Sequence, residues 1–144
     1  RNTGAMSSFF NIDGILPGLA DTGAHAGQIC DADAGTHFLS HWVRDKNIMP
    51  FETAIKKMTK ESTEVLGLVD RGVLETGRFA DINVFDREGL QIGYPDYVND
   101  FPHGKGRLRV NATGYAATIV NGEIVTERGK NTGARPGRVL REFV

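Results

Sequence analysis

The chain is poor in cysteine: Cys30 is the only one among 144 residues. No intrachain disulfide framework can form, which favours a reducing, cytoplasmic setting. A dominant charge is also missing, because 17 lysines and arginines face 18 aspartates and glutamates. Without a basic field nothing holds a polyanion, so no nucleic-acid partner is expected. Apolar runs stay far short of the ~20 residues that span a bilayer, so no membrane partner is expected either. The opening "RNTGAMSSFF" lacks a basic-then-apolar leader pattern and does not begin with methionine. Met6 as an internal start and excision from a longer protein both remain open there.

What is present suits one ordinary domain, since a chain of this length can bury roughly 68–70% of its unfolded surface. The 18 glycines point to short strands and many turns. "GILPGLA", Gly14–Ala20, reads as a short buried strand in which Pro17 cannot donate to a ladder. A glycine-containing loop follows, and Asp33 is a plausible N-cap for a helix over Ala34–Lys46 with Phe38, Leu39, Trp42 and Val43 on one face. Asn47 is a fair stop. A second helix starts at Pro50, with Phe51, Ala54, Ile55 and Met58 as its apolar stripe. "TKESTEVLGL" predicts a short third helix, capped by Ser62 or Thr63 and closed by Gly67.

From Gly72 the pattern turns to strands. A turn at Thr76–Gly77 precedes alternation through Ala80, Ile82, Val84 and Asp86, with Phe85 facing the other way. Residues 87–106 read as irregular, because Tyr94-Pro95 and Phe101-Pro102 favour extended or turn geometry. "YAATIVNGEIVTERGK" is the clearest local signal: two β-prone runs joined by Asn121-Gly122, the pair a type I′ hairpin wants. A lone strand, then helices, then an antiparallel unit is hard to explain as one self-sufficient fold. It looks like the last βα unit of a larger barrel.

The chemistry candidates gather in "DTGAH". A carboxylate just past the C-terminal end of a barrel strand is where α/β barrels place catalytic groups. Asp21 could ligate a divalent metal or take a proton from activated water. It could equally be a turn residue bonding its own backbone. His25 could hold metal or a substrate carboxylate, or serve as a loop histidine. His37 and His41, spaced i, i+4, have the spacing of a metal-binding helix, yet "HFLSH" lacks the glutamate a zinc protease places between them. Helix-surface or interface histidines are the alternative. Cys30 has no paired cysteine and reads as a small buried hydrophobe. Arg135, Arg138 and Arg141 could clamp a carboxylate, or lie in a solvated tail.

In their order along the chain, "LPGLADTGAH", "GQICDA", "HWVRD", "AIKKMT", "LGLVDRGVLETGRFADINVFD" and "TGYAATIVNGEIV…TGARPGR" resemble the C-terminal part of N-acyl-D-amino-acid deacylases. These belong to the amidohydrolase superfamily, in the branch labelled amidohydrolase family 3. The resemblance spans about Gly14 to Arg141. It implies α/β plus β architecture: the last βα units of a metal-dependent (β/α)8 barrel over residues 1–71, then C-terminal strands of a small β-sandwich over 72–144. Asp21 then matches the aspartate after the eighth strand, which binds or neighbours the catalytic zinc and shuttles a proton from attacking water to the leaving amine. His25 becomes a substrate contact.

The implied activity is hydrolysis of an N-acyl amino acid with one or two Zn2+ per full-length chain. The family's H-x-H pair after strand one, the bridging residue after strand four and the later histidines are absent. The expectation is a C-terminal fragment, inactive alone, whose partners are the missing N-terminal barrel portion, a small N-acyl amino acid and a possible second copy paired along Gly14–Ala20. A non-catalytic interaction module and hydrolysis of cyclic amides are the rival readings.

Overall fold

The computed structural model describes residues 3–18 and 20–141. Its element order is helix α1 (Thr3–Phe10), α2 (Ala34–His37) running on as a π-helical stretch over Phe38–Asp45, and α3 (Phe51–Lys56) running on through Lys57–Glu61 into α4 (Ser62–Val65). Eight strands follow: β1 (Ile82–Phe85), β2 (Gln91–Ile92), β3 (Asp96–Phe101), β4 (Lys105–Arg109), β5 (Ala112–Thr113), β6 (Tyr115–Val120), β7 (Glu123–Glu127) and β8 (Lys130–Asn131). They form one sheet in the order β1-β6-β7-β8 and two small ladders, β2-β5 and β3-β4. Every ladder is antiparallel and every sheet is open at its edges, so no barrel closes among the described residues. Helices and strands together give a mixed α/β architecture.

The two predicted amphipathic helices form where their apolar residues recur. Phe38, Leu39 and Val43 of the first and Ala54 of the second are buried with Ile48, Met49 and Leu90 in one core. Asn47 stops the first helix with φ 50°, a left-handed conformation that asparagine tolerates. Asp33 caps that helix through its backbone rather than its side chain: its carbonyl accepts the His37 N–H at 2.8 Å. The third helix predicted at Ser62 is instead the end of the second. Ser62 Oγ donates to the Lys57 carbonyl at 2.8 Å, so its hydroxyl serves the helix interior rather than a cap. Gly67 closes it as expected. With φ 68° it allows Leu68 N–H to reach Thr63 O and Gly67 N–H to reach Glu64 O, the paired bonds of a Schellman ending.

The strands reach this core through a few side chains. Phe85 and Tyr115 stack edge-on at 5.9 Å, Phe51 lies 6.2 Å from Phe85, and the Tyr115 hydroxyl meets Thr36 Oγ1 at 2.9 Å. Between β1 and β2 the chain turns inward and buries Leu90 completely. The Arg44 guanidinium holds that turn, its Nη1 donating to the carbonyls of Arg87 (3.1 Å), Glu88 (3.2 Å) and Leu90 (2.7 Å).

Three further expectations are corrected. Residues 14–18 and 20 form no strand; Leu19 lies outside the described residues. The described residues supply no neighbouring strand to complete their ladder, and Pro17 has no N–H to give one. Buried Lys57 instead grips this region, its Nζ donating to the carbonyls of Ile15 (3.0 Å) and Ile12 (3.4 Å). The alternation in β1 breaks at a register shift between Val84 and Phe85, leaving Val84 exposed while Ile82 and Phe85 are half-buried. Residues 87–106, read as irregular, contain β2, β3 and the start of β4. The Asn121-Gly122 hairpin forms as predicted, with φ 48° and 83° at its two turn residues.

Leu90→Ala should cost about 2–5 kcal/mol in urea denaturation, because a fully buried leucine leaves a cavity. Val84→Ala, on the open side of the bulge, should cost under about 0.5 kcal/mol in the same measurement. Equal losses would mean that the core does not depend on the inward turn.

Candidate functional site

Between Ala20 and α2 the chain folds back through consecutive turns. Ala24 N–H reaches the Asp21 carbonyl at 3.0 Å, and the His25 carbonyl accepts from both Gln28 (2.7 Å) and Ile29 (2.9 Å). The side chain that organises this loop is Asp31. Its Oδ2 accepts the Asp21 N–H at 2.7 Å, and its Oδ1 accepts the Thr22 hydroxyl at 2.8 Å. Loop and strands are also joined: Leu108 N–H of β4 donates to the Ala26 carbonyl at 2.8 Å.

Turn bonding belongs to the Asp31 carboxylate, while the Asp21 side chain is exposed and has no partner among the described residues. A carboxylate with both oxygens open, on a loop held by another residue, can accept a proton or meet a cation. Sequence reasoning missed Asp31; an acidic residue ten positions from Asp21 in a glycine-containing loop was the available signal.

His25 is exposed on the same loop, four residues from Asp21, and its side chain makes no hydrogen bond among the described residues. Cys30 is half-buried and free. His37 and His41 lie on the helix that follows the loop, with rings 5.0 Å apart. Arg135, Arg138 and Arg141 are exposed and hold no carboxylate among the described residues. No group of three or more His, Cys, Asp or Glu side chains converges to hold a metal among the described residues. Asp21 alone does not fit a complete zinc site.

The Thr22 hydroxyl, and after it the Asp21 N–H, hold the Asp31 carboxyl below the usual carboxylate range. The folded value thus lies under the unfolded one. The contribution of these bonds to stability is complete above the ordinary carboxylate range and is lost as pH falls through the lower folded value. Thr22→Val should move the Asp31 midpoint back upward in an NMR carboxyl titration. An unmoved midpoint would mean that the hydroxyl does not set it.

The amidohydrolase family model matches residues 14–126. The chain is 39% identical over 105 residues to a D-aminoacylase of Alcaligenes xylosoxydans xylosoxydans, which covers 71% of this chain and 19% of that protein. An N-acyl-D-aspartate deacylase of the same organism is 38% identical over 106 residues, covering 73% and 19%. A dihydroorotase of Geotalea daltonii is 31% identical over 85 residues, covering 58% and 20%. Among solved structures, a D-aminoacylase described as defining a novel subset of amidohydrolases superposes with a TM-score of 0.60 at 35% identity, over 75% of this chain and 21% of that one. Another D-aminoacylase structure, concerned with the functional role of its binuclear metal centre, matches equally. The chain spans about a fifth of the length of the curated relatives it matches. With its loop, helices α2 to α4 and strands β1 to β6 inside the matched span, the chain belongs to the amidohydrolase family, as a relative of the D-aminoacylases and N-acyl-D-amino-acid deacylases.

Proposed function

We propose that these residues serve a hydrolase that cleaves the amide bond of N-acyl amino acids, with N-acyl-D-amino acids as the substrate class. The observation that carries this reading is the unpartnered Asp21 carboxylate on its Asp31-braced loop, in a chain 35–39% identical to deacylases of that kind. Water adds to the amide carbonyl, the carbon–nitrogen bond breaks, and a carboxylate and an amine leave. Asp21 takes the proton from water and returns it to the amine nitrogen, acting first as base and then as acid. His25, four residues on, faces the substrate.

Zn2+, one or two per full-length protein, supplies activation of the water when bound. This chain offers it Asp21 as a ligand, and the other ligands come from elsewhere in the full-length protein. Residues 1–71 are then the closing part of a (β/α)8 barrel, and 72–144 part of a small β-sandwich. In that setting segment 14–20 gains the strand neighbours it lacks here. The 144-residue chain alone turns over no substrate, and the enzyme works in the cytoplasm.

Hydrolysis of a cyclic amide is the second reading, favoured by the likeness to a dihydroorotase. In the full-length protein, Asp21→Asn should lower amide hydrolysis by about 10²–10⁴-fold while leaving the circular dichroism spectrum unchanged. Undiminished turnover would make Asp21 a plain loop residue. Parallel assays with N-acetyl-D-amino acids, their L-enantiomers and a cyclic amide choose between the two substrate classes.

A further inference from the structure

We propose that His37 and His41 form a two-histidine chelate for a borderline divalent transition metal such as Cu2+ or Zn2+. Residues four apart on a helix project from the same face. Here the two imidazole rings lie 5.0 Å apart, tilted by 40°. Two imidazoles bound to one ion at about 2.1 Å, with a bite of about 90–110°, have ring centres about 4.5–5.2 Å apart. The observed separation falls inside that window.

The neighbourhood limits where these rings can go. Trp42 packs edge-on against His41, with ring centres 5.0 Å apart and planes at 80°, and lies 6.4 Å from His37. Restricting a ligand ring in this way lowers the entropy lost on binding. His37 and Trp42 also line an open groove of about 660 Å3 with Phe9, Phe10, Leu16 and Met58, so an ion can reach His37 from that side. Asp45, one turn beyond His41, is held by Arg44 Nε at 2.7 Å and does not act as a third ligand. Water fills the remaining positions, which makes the site open and exchangeable. Among divalent ions of the first transition row an imidazole pair holds Cu2+ most tightly.

Trp42 is the chain's only tryptophan, so its fluorescence reports on this position alone. Titrating the 144-residue chain with CuCl2 in a non-coordinating buffer should quench Trp42 in a saturable curve. Zn2+ added in excess should reverse the quenching. His37→Ala and His41→Ala should each weaken the apparent Cu2+ affinity at least tenfold, with the helical circular dichroism signal retained. His25→Ala and His103→Ala should leave it unchanged. Quenching that does not saturate, or that survives both helix substitutions, overturns the proposal and leaves an ordinary aromatic contact between the rings. Should either substitution unfold the chain, electron paramagnetic resonance of Cu2+ on the unaltered protein decides: two equatorial imidazole nitrogens support the chelate, and one or none overturns it.

Discussion

Arg44 reaches out of the helical layer and gathers the carbonyls of residues 87, 88 and 90 on a single nitrogen. Those carbonyls lie in a turn and have no ladder to satisfy them, and a charged donor binds them more firmly than a neutral one. The turn is thereby drawn down, and Leu90 enters the same apolar cluster as Phe38, Leu39 and Val43. The rest of the strand unit follows from this anchor: β1 enters the turn, β2 leaves it, and Phe85 and Tyr115 meet the helices on either side. The site loop depends on the same packing, since it leads directly into the helix that carries Arg44.

Two carboxylates share the loop, and only one of them bonds it. Asp31 turns inward to the backbone and sets the shape, while Asp21 is left with its oxygens open. A loop shaped by the functional group itself would consume the lone pairs that chemistry needs. In the proposed function, fixing the backbone through a different residue leaves the Asp21 oxygens unoccupied.

What was legible in the sequence follows from which force builds each part. The helices over 34–45 and 51–65 were readable because burial imposes a helical period on Phe38, Leu39, Val43 and Ala54. The Asn121-Gly122 turn was readable because few residue pairs accept positive φ in succession. Hairpin β3-β4 was not, for β3 is largely exposed and β4 is half-buried along nearly its whole length, which leaves no alternation to see. Charge holds it instead: Arg107 grips Asp100 with two bonds of 2.6 and 2.8 Å, and Arg109 meets Asp96 at 2.8 Å. Asp31 was equally hidden, because its role depends on chain reversal rather than on spacing. Strand character over 14–20 was read from composition, yet a strand exists only with a neighbour to bond.

The single bond from Leu108 to Ala26 ties the loop beside α2 to a hairpin more than eighty residues later. This sets the smallest piece in which the loop can be studied. A truncation after the helices would keep Asp21, Thr22 and Asp31 together but release the loop's far side, and its backbone amides would then exchange with solvent freely. Any piece that keeps the loop intact must therefore extend at least through β4. Length changes between β2 and β4 would act on the loop as surely as changes within it.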